Sequence, residues 1–367
     1  MNGAGVTFLV AVGFVAWAYA GYPLWCWVRA RLRPRPIVGR PSPETPVSIV
    51  IAAWREASTI ARKLESLKAQ SHPNLEVIVA CDGSDDGTPE IARAAGELHL
   101  PGRVTVLALP ERRGKPAALN AAVAASRGEV LVLTDARQPL SPESVAALVE
   151  ALGDPALGAV GGELELEGDA PAGAYWRYEA FIRRREAASG STVGVSGALY
   201  AIRRALWRPL PEETILDDVL VPMRVRLLGH RVGLEPRARA YDRAAESARE
   251  FRRKVRTLSG NFQLLLLEPA LLSPRKNGSF IDFVSHKLCR LLVPYALVVA
   301  LVASAFLPSP WALALVALQL AGYGLAAARA LGMKLPLSGL AETFVVLNAA
   351  AVVGFARFVR HGRRLPW

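Results

Sequence analysis

Four short runs constrain the fold of this chain more than anything else in it: VSIVIAA (Val47 to Ala53), LEVIVA (Leu75 to Ala80), VTVLAL (Val104 to Leu109) and EVLVLT (Glu129 to Thr134). Each is apolar at nearly every position and rich in β-branched residues or leucine. A strand with one wet face alternates in polarity, and these do not, so they predict strands of a parallel α/β sheet buried on both faces. In an open sheet of that kind ligands bind beyond the carboxyl ends of the strands. Trp54, Glu56, Asp82 and Asp135 follow those ends and are expected to converge on one crevice.

Three aspartates stand out along this stretch: Asp82 in CDGSDDGT, Asp135 in VLVLTDAR and Asp218 in ETILDDV. An aspartate after a strand is a common turn former and helix cap, and Asp85, Asp86 and Gly87 read as such a turn. Three acids at successive element ends, with Lys115 between them, point instead to ligand chemistry.

The segment VSIVIAAWREASTIARKLESLKAQSHPNLEVIVACDGSDDGT resembles the opening of the inverting family 2 glycosyltransferases. The likeness continues through GKPAALNAAV, TDAR, GALYAIRR and LDDV to RKVRT, from Val47 to about Gln263. As a set these motifs are specific, although no single one is. The resemblance implies a GT-A fold, Rossmann-like with a mostly parallel sheet. It places Asp82 on the uracil and ribose side of a nucleotide-sugar, Ala53, Trp54 and Glu56 beside the nucleoside, and Lys115 on the nucleotide. Asp135 becomes the first acid of the Asp-x-Asp pair that holds the diphosphate through a metal. Asp218 becomes the catalytic base, with Asp217 where the family has Glu.

Several positions depart from the family pattern. Trp54 and Arg55 replace Tyr and Asn, and Arg137 stands where the second acid of the Asp-x-Asp pair belongs. Arg253, Lys254 and Arg256 in RKVRT occupy the place of a Gln-x-x-Arg-Trp motif near the diphosphate and acceptor channel, with Thr257 in place of Trp. Gly197 and Ala198 in VSGALYAIRR leave room for an acceptor, or serve strand packing.

The expected chemistry makes definite demands. An acceptor hydroxyl must lose a proton as it attacks the anomeric carbon, which a carboxylate such as Asp218 accomplishes. The leaving diphosphate needs fixed cations. Asp135 with diphosphate oxygens and waters would hold magnesium or manganese. The Arg137 guanidinium matches phosphate in a bidentate way, so weaker metal dependence than in relatives with both acids is expected, unless Arg137 pairs with a nearby acid.

The flanks read as membrane anchors. Of 367 residues 52% are hydrophobic, with charge abundant in the middle and scarce at both ends. Val6 to Val28 is long enough to span a bilayer, and Arg29, Arg31, Arg33 and Arg35 follow it. A signal peptide would instead carry basic residues before a shorter apolar run and small residues at a cleavage site. Leu291 to Leu307, Trp311 to Leu331 and Leu340 to Val359 are three further apolar segments. If all of them cross, Arg360, Arg363 and Arg364 end outside, against the positive-inside tendency, so one segment is expected to be re-entrant or interfacial. Glu250 to Leu267 mixes FRRKVR with LLLL, as in an amphipathic helix on a membrane surface.

The net charge of +12 gathers beside the apolar segments and no nucleic-acid motif is visible, so anionic lipid and diphosphate are the expected partners, not nucleic acid. Three scattered cysteines and five isolated histidines make neither a disulfide framework nor a zinc site. Four regions result: an anchor and basic linker (1–40), a GT-A domain (41–245), an amphipathic interface region (246–287) and a C-terminal membrane region (288–367). The expected activity is a membrane-bound inverting glycosyltransferase, multi-pass in the cell membrane with its catalytic domain cytoplasmic. It would move a sugar, from a UDP-sugar by expectation, to a polysaccharide or other glycan. Two alternatives stand beside it: a glycolipid-forming transferase similar to ceramide glucosyltransferases, and a non-catalytic sugar-nucleotide binding scaffold.

Overall fold

The computed structural model describes residues 3–167, 174–243, 247–308 and 310–365. At the N-terminus α1 (Gly3–Ala16) and α2 (Tyr22–Leu32) form one continuous helix through a π turn at Trp17–Gly21. The four apolar runs are strands: β1 (Val47–Ala53), β2 (Leu75–Asp82), β3 (Val104–Leu109) and β4 (Val130–Leu133). They pair in parallel, with β1 between β2 and β4. β5 (Leu157–Glu167), β6 (Tyr200–Arg203) and β7 (Arg231–Arg243) complete a seven-stranded sheet in the order β3-β2-β1-β4-β6-β5-β7. β6 runs antiparallel to both β4 and β5, and β5 pairs with β7 in parallel.

Alternate residues of the central strands supply two cores. Ile49 and Ile51 face α3 (Ile60–Lys68), α4 (Thr88–His99) and α6 (Ser144–Leu152), the last reached after α5 (Lys115–Ala125). Val50, Ile78 and Leu131 face α5 and, after α7 (Ala174–Ser189), α8 (Asp217–Leu227). Fully burying each of these side chains contributes about 1.5–3 kcal/mol. β3 departs from the expectation of burial on both faces: it is the edge strand, and Thr105 and Ala108 are exposed. The chain leaves β1 toward β2 and β3 on one side and returns to β4 on the other. Loops therefore diverge beyond β1 and β4, which opens the crevice that positions the site.

The remaining helices belong to the flanks. α9 (Ser247–Leu267) precedes a continuous helix made of α10 (Phe280–Phe283), a π turn at Val284–Leu288 and α11 (Cys289–Ala305). α12 (Trp311–Ala330) and α13 (Ser338–His361) follow. Among the described residues four helices are long and apolar enough to cross a membrane: Gly3–Leu32, Phe280–Ala305, Trp311–Ala330 and Ser338–His361. The boundary expected at 245 lies outside the described residues.

α13 packs in a way its composition does not reveal. Near its start Leu337 and Leu340 share a cavity wall with Tyr175 and Tyr178 of α7. Gly354 lets it approach α9 closely, since a Cβ there would stand 3.0 Å from the Ser259 backbone nitrogen. Phe262 of α9 packs against Phe355 and Phe358, with ring centroids 5.2 and 5.6 Å away. Just past its end Arg363 pairs with Glu213, and its carbonyl accepts a hydrogen bond from Gln263 Nε2 at 2.7 Å. The C-terminal half of α13 thus packs on α9 and the residues after it reach Glu213 and Gln263, while its start borders a cavity that α7 also lines.

Candidate active site

The site is assembled around Asp82, the last residue of β2. Its Oδ1 accepts the Arg113 N–H at 2.8 Å and its Oδ2 the Gly114 N–H at 2.7 Å, so the buried carboxylate holds the loop that launches α5. Gly83 makes that contact possible. Its φ is +58°, and a Cβ there would come within 2.5 Å of the Arg112 nitrogen. α5 then begins at Lys115, whose side chain turns back into the crevice.

Lys115 joins three element ends. Its Nζ lies 3.0 Å from Asp135 Oδ1, just past β4, and 3.3 Å from Asp217 Oδ2, at the start of α8. Burial by itself would lower the Lys115 pKa, but Asp135, Asp217 and Asp218 outweigh it and raise the value, so the ammonium stays charged. Asp218 follows on the same helix turn, its Oδ2 3.6 Å from where a Gly197 side chain would begin; the same point is 3.7 Å from Lys115 Nζ. The lack of a side chain at Gly197 therefore leaves space against both groups. Burial and then the neighbouring Asp217 carboxylate push the Asp218 carboxyl up to about 6, against the pull of Lys115.

A cavity of about 350 Å³ opens beside this cluster, lined by Ala53, Trp54, Glu56, Asp82, Lys115, Asp135, Arg137 and Arg256, with Arg112 and Gly114. Trp54 is presented by a strained turn, since Arg55 takes a left-handed φ of 53° and is tied to Asp85 by two hydrogen bonds of 2.8 and 2.7 Å. The Arg112 guanidinium lies over the Trp54 ring, 3.6 Å from its centroid. Glu56 accepts the Thr59 hydroxyl hydrogen at 2.6 Å. Arg137 lines the cavity and also lies 3.7 Å from Asp242 Oδ2. Arg256 enters from α9, and burial lowers its pKa against the opposing pull of Asp217, Asp218 and Asp135. Arg253, expected beside the diphosphate, is exposed and is not part of the cavity wall.

Ala198 takes part through its backbone: its carbonyl accepts the Thr134 hydroxyl hydrogen at 2.6 Å. Beneath them lies a residue that sequence reasoning passed over. Lys63 is buried, and its Nζ donates to Thr134 Oγ1 at 2.7 Å and to the Gln138 carbonyl at 2.6 Å, bracketing the loop that carries Asp135 and Arg137. Burial pushes its pKa down to about 7, with Asp135 opposing. The signal was its helical phase: Lys63 falls on the same face as Ile60, Leu64 and Leu67. Arg112 was also missed, in a run of charges that reads as solvated.

The profile of the family described as Glycosyl transferase family 2 matches residues 48–208. This stretch is a glycosyl transferase family 2 domain. The match stops before α8 and α9, so Asp217, Asp218 and Arg256 are joined to the domain by geometry. Succinoglycan biosynthesis protein ExoO of Rhizobium meliloti (strain 1021) is 35% identical over 104 residues, 28% of this chain and 29% of that protein. A poly-beta-1,6-N-acetyl-D-glucosamine synthase of Staphylococcus epidermidis is 24% identical over 231 residues, 60% of this chain and 55% of that protein. The chain thus spans about half or less of the length of these relatives. Among solved structures, the mannosyltransferase PcManGT from Pyrobaculum calidifontis, in complex with GDP-Man and Mn2+, superposes with a TM-score of 0.77 at 24% identity. That likeness covers 96% of this chain and 99% of the other, and it identifies the mostly parallel sheet as the expected GT-A fold.

Proposed function

We propose that this chain is an inverting glycosyltransferase of the membrane surface, which moves a sugar from a nucleotide diphosphate sugar to a hydroxyl of a glycan acceptor. One observation carries the reading. Asp218 and Lys115 face the same open space against Gly197, beside a cavity at the switch point of the sheet. The nucleoside takes the Trp54 and Asp82 end of that cavity, and the diphosphate takes the end at Lys115, Arg137 and Arg256.

The acceptor oxygen bonds to the anomeric carbon on the face opposite the diphosphate, and its proton passes to Asp218. The bond from that carbon to the diphosphate oxygen breaks with its electron pair on the nucleoside diphosphate. A base with a pKa near 6 is ionised at neutral pH yet retains proton affinity, which suits general-base work. Lys115 and Arg256 are fixed in place to meet the charge that develops on the leaving group.

A divalent cation fits these residues in one way. Among the described residues no three His, Cys, Asp or Glu side chains are grouped to hold a metal ion, but magnesium and manganese are commonly shared between one or two carboxylates and substrate phosphates. Asp135 supplies one such carboxylate, and the manganese in the PcManGT complex supports a cation in this role. When bound, the cation would neutralise part of the diphosphate charge.

The helices complete the proposal. The paths Gly3–Leu32, Phe280–Ala305 and Trp311–Ala330 cross the bilayer, while α13 lies in its surface beside α9, with the catalytic domain on the cytoplasmic side. The arginines after α2 and after α13 then stand on one side, as the positive-inside tendency requires.

Purified full-length protein in nanodiscs, supplied with a panel of UDP- and GDP-sugars and analysed by mass spectrometry for transferred sugar, tests the activity. One donor should be consumed with inversion at the anomeric carbon. Binding of donors without turnover of any in native membranes would leave the scaffold reading in its place.

A further inference from the structure

Between Trp207 and Leu216, just ahead of Asp217 and Asp218, the chain forms neither helix nor strand, so its backbone groups need partners from elsewhere. Gln263 of α9, fully buried, supplies them. Its Oε1 accepts the Ile215 N–H at 3.0 Å, and its Nε2 donates to the Glu213 carbonyl at 2.7 Å and to the Arg363 carbonyl at 2.7 Å. The two carbonyls demand the nitrogen and the N–H demands the oxygen, so the amide has one workable orientation.

Other ties to this stretch are weaker. Glu212 pairs with Arg113 and Glu213 with Arg363, but these pairs face solvent, where ion pairs contribute little. α8 also starts without a side-chain cap, its N-cap residue being Leu216. The buried amide stands in for that cap, bonding the backbone two residues ahead of Asp217. Gly260, one helical turn before Gln263, lets α9 close on the same stretch: a Cβ there would stand 2.7 Å from Leu216 Cγ and 3.0 Å from Ile215 Cγ2. Ile215, Leu216, Leu264 and Leu365 share one buried apolar cluster, and away from water the hydrogen bonds of the amide are stronger. On the far side of the carboxylates, the Asp218 carbonyl accepts the Val195 N–H at 3.0 Å, so the start of α8 sits between two fixed points.

Resting on the glycosyltransferase reading, we propose that Gln263 is a positioning residue for the catalytic base: through the backbone of Glu213 and Ile215 its amide sets the first turn of α8, so that Asp218 meets the open space at Gly197 and Asp217 meets Lys115. Gln263 is not part of the donor cavity wall, so it acts through Asp218 and not on the donor. A displacement of about 1 Å at a reacting group costs roughly 100-fold in rate. A glutamine that only held the fold together would lower stability and every activity alike.

Gln263→Met keeps most of the side-chain volume and removes the bonds to Ile215, Glu213 and Arg363. In the full-length protein in nanodiscs, supplied with the panel of UDP- and GDP-sugars, kcat should fall roughly 100-fold, while affinity for UDP and GDP by calorimetry stays within about twofold. Combined with Asp218→Asn, the same substitution should cost no more than about a further twofold, since the group it positions is already gone. Gly260→Ala leaves the amide intact but presses on Leu216, and should give a smaller loss of kcat that also vanishes beside Asp218→Asn; it decides the matter alone if Gln263→Met does not fold. An unchanged kcat, a loss of equal size with and without Asp218, or a fall in nucleotide affinity that matches the fall in rate would overturn the assignment. The two levels separate on the same samples. Turnover that depends on Asp218 but not on Gln263 or Gly260 removes the positioning role alone, whereas a wild-type protein that turns over no donor removes the glycosyltransferase reading and the positioning role with it.

Discussion

The Lys115 ammonium lies 3.0 Å from the Asp135 carboxylate, so the start of α5 and the end of β4 are tied together where the donor diphosphate would sit. Asp217 and Asp218 crowd the same cation. Lys115→Met therefore removes both a phosphate contact and the counter-charge of three acids. A hydrogen bond to a charged group contributes about 1.5–3 kcal/mol, so donor affinity should fall roughly 10- to 100-fold. Calorimetric titration with nucleoside diphosphate measures it, and unchanged affinity would remove Lys115 from the donor site.

Asp218→Asn should leave donor affinity nearly intact and lower the rate of transfer about 100- to 10,000-fold, the usual contribution of general-base help. The pH profile adds a finer test. With the carboxyl at about 6, activity should fall as pH drops below that value. Asp217 raises the Asp218 pKa, so Asp217→Asn should move the acid limb to lower pH; Lys115 lowers it, so Lys115→Met should move the limb up. Identical profiles in all three proteins would mean that another group titrates.

Lys63 makes a prediction about stability. Its folded pKa of about 7 lies below the ordinary 10.5, so below pH 7 the folded state bears the full cost of a buried ammonium. That cost is relieved as pH rises from 7 toward 10.5. The neutral amine still donates to Thr134 and Gln138. Lys63→Met would leave the Gln138 carbonyl without this donor, and an orphaned buried group costs about 1–3 kcal/mol. The variant should therefore be less stable than wild type at pH 9, with the gap narrowing or reversing at pH 6. Thermal midpoints at the two pH values decide the matter, and a gap independent of pH would contradict it.

These residues also show where the sequence was legible. Asp82 and Asp135 end buried strands, and a strand run fixes the direction of the residue after it, so their convergence follows from local pattern. Lys115 was placed by a motif that begins a helix. Arg253 and Arg256 were not separable in the same way. They differ by about 4.5 Å along the axis of α9, and where that helix crosses the crevice is a tertiary fact. The length and apolarity of α13 suggest a span. Its course depends instead on Gly354, on two phenylalanines meeting Phe262, and on Arg363 reaching Glu213, contacts between segments remote in the chain.

The proposed course of α13 implies a topology. If α13 lies along α9, a reporter fused after Trp367 should read the same side of the membrane as one inserted in an exposed loop of the catalytic domain. Four full crossings would put the two on opposite sides. Paired fusions in intact cells distinguish the arrangements, and opposite sides would return α13 to the spanning helices.

Arg137 carries the last prediction, because it stands where a second acid would ligate a cation. It lines the cavity proposed for the donor and sits 3.7 Å from Asp242, so the proposed diphosphate would offer it a second anion beside that acid. With the guanidinium supplying positive charge at any working pH, a cation shared by Asp135 and the diphosphate has less charge left to neutralise. Activity in chelator should therefore be reduced and not abolished. Arg137→Asp removes that charge and places a new carboxylate near Asp135 and Asp242, a set of oxygen donors better suited to magnesium or manganese. The variant should lose its activity in chelator and recover it on addition of manganese, with donor affinity following the same order in calorimetry. Complete loss of wild-type activity in chelator, unaltered by the substitution, would leave Arg137 as a partner of Asp242 and return the diphosphate charge to the metal and Lys115.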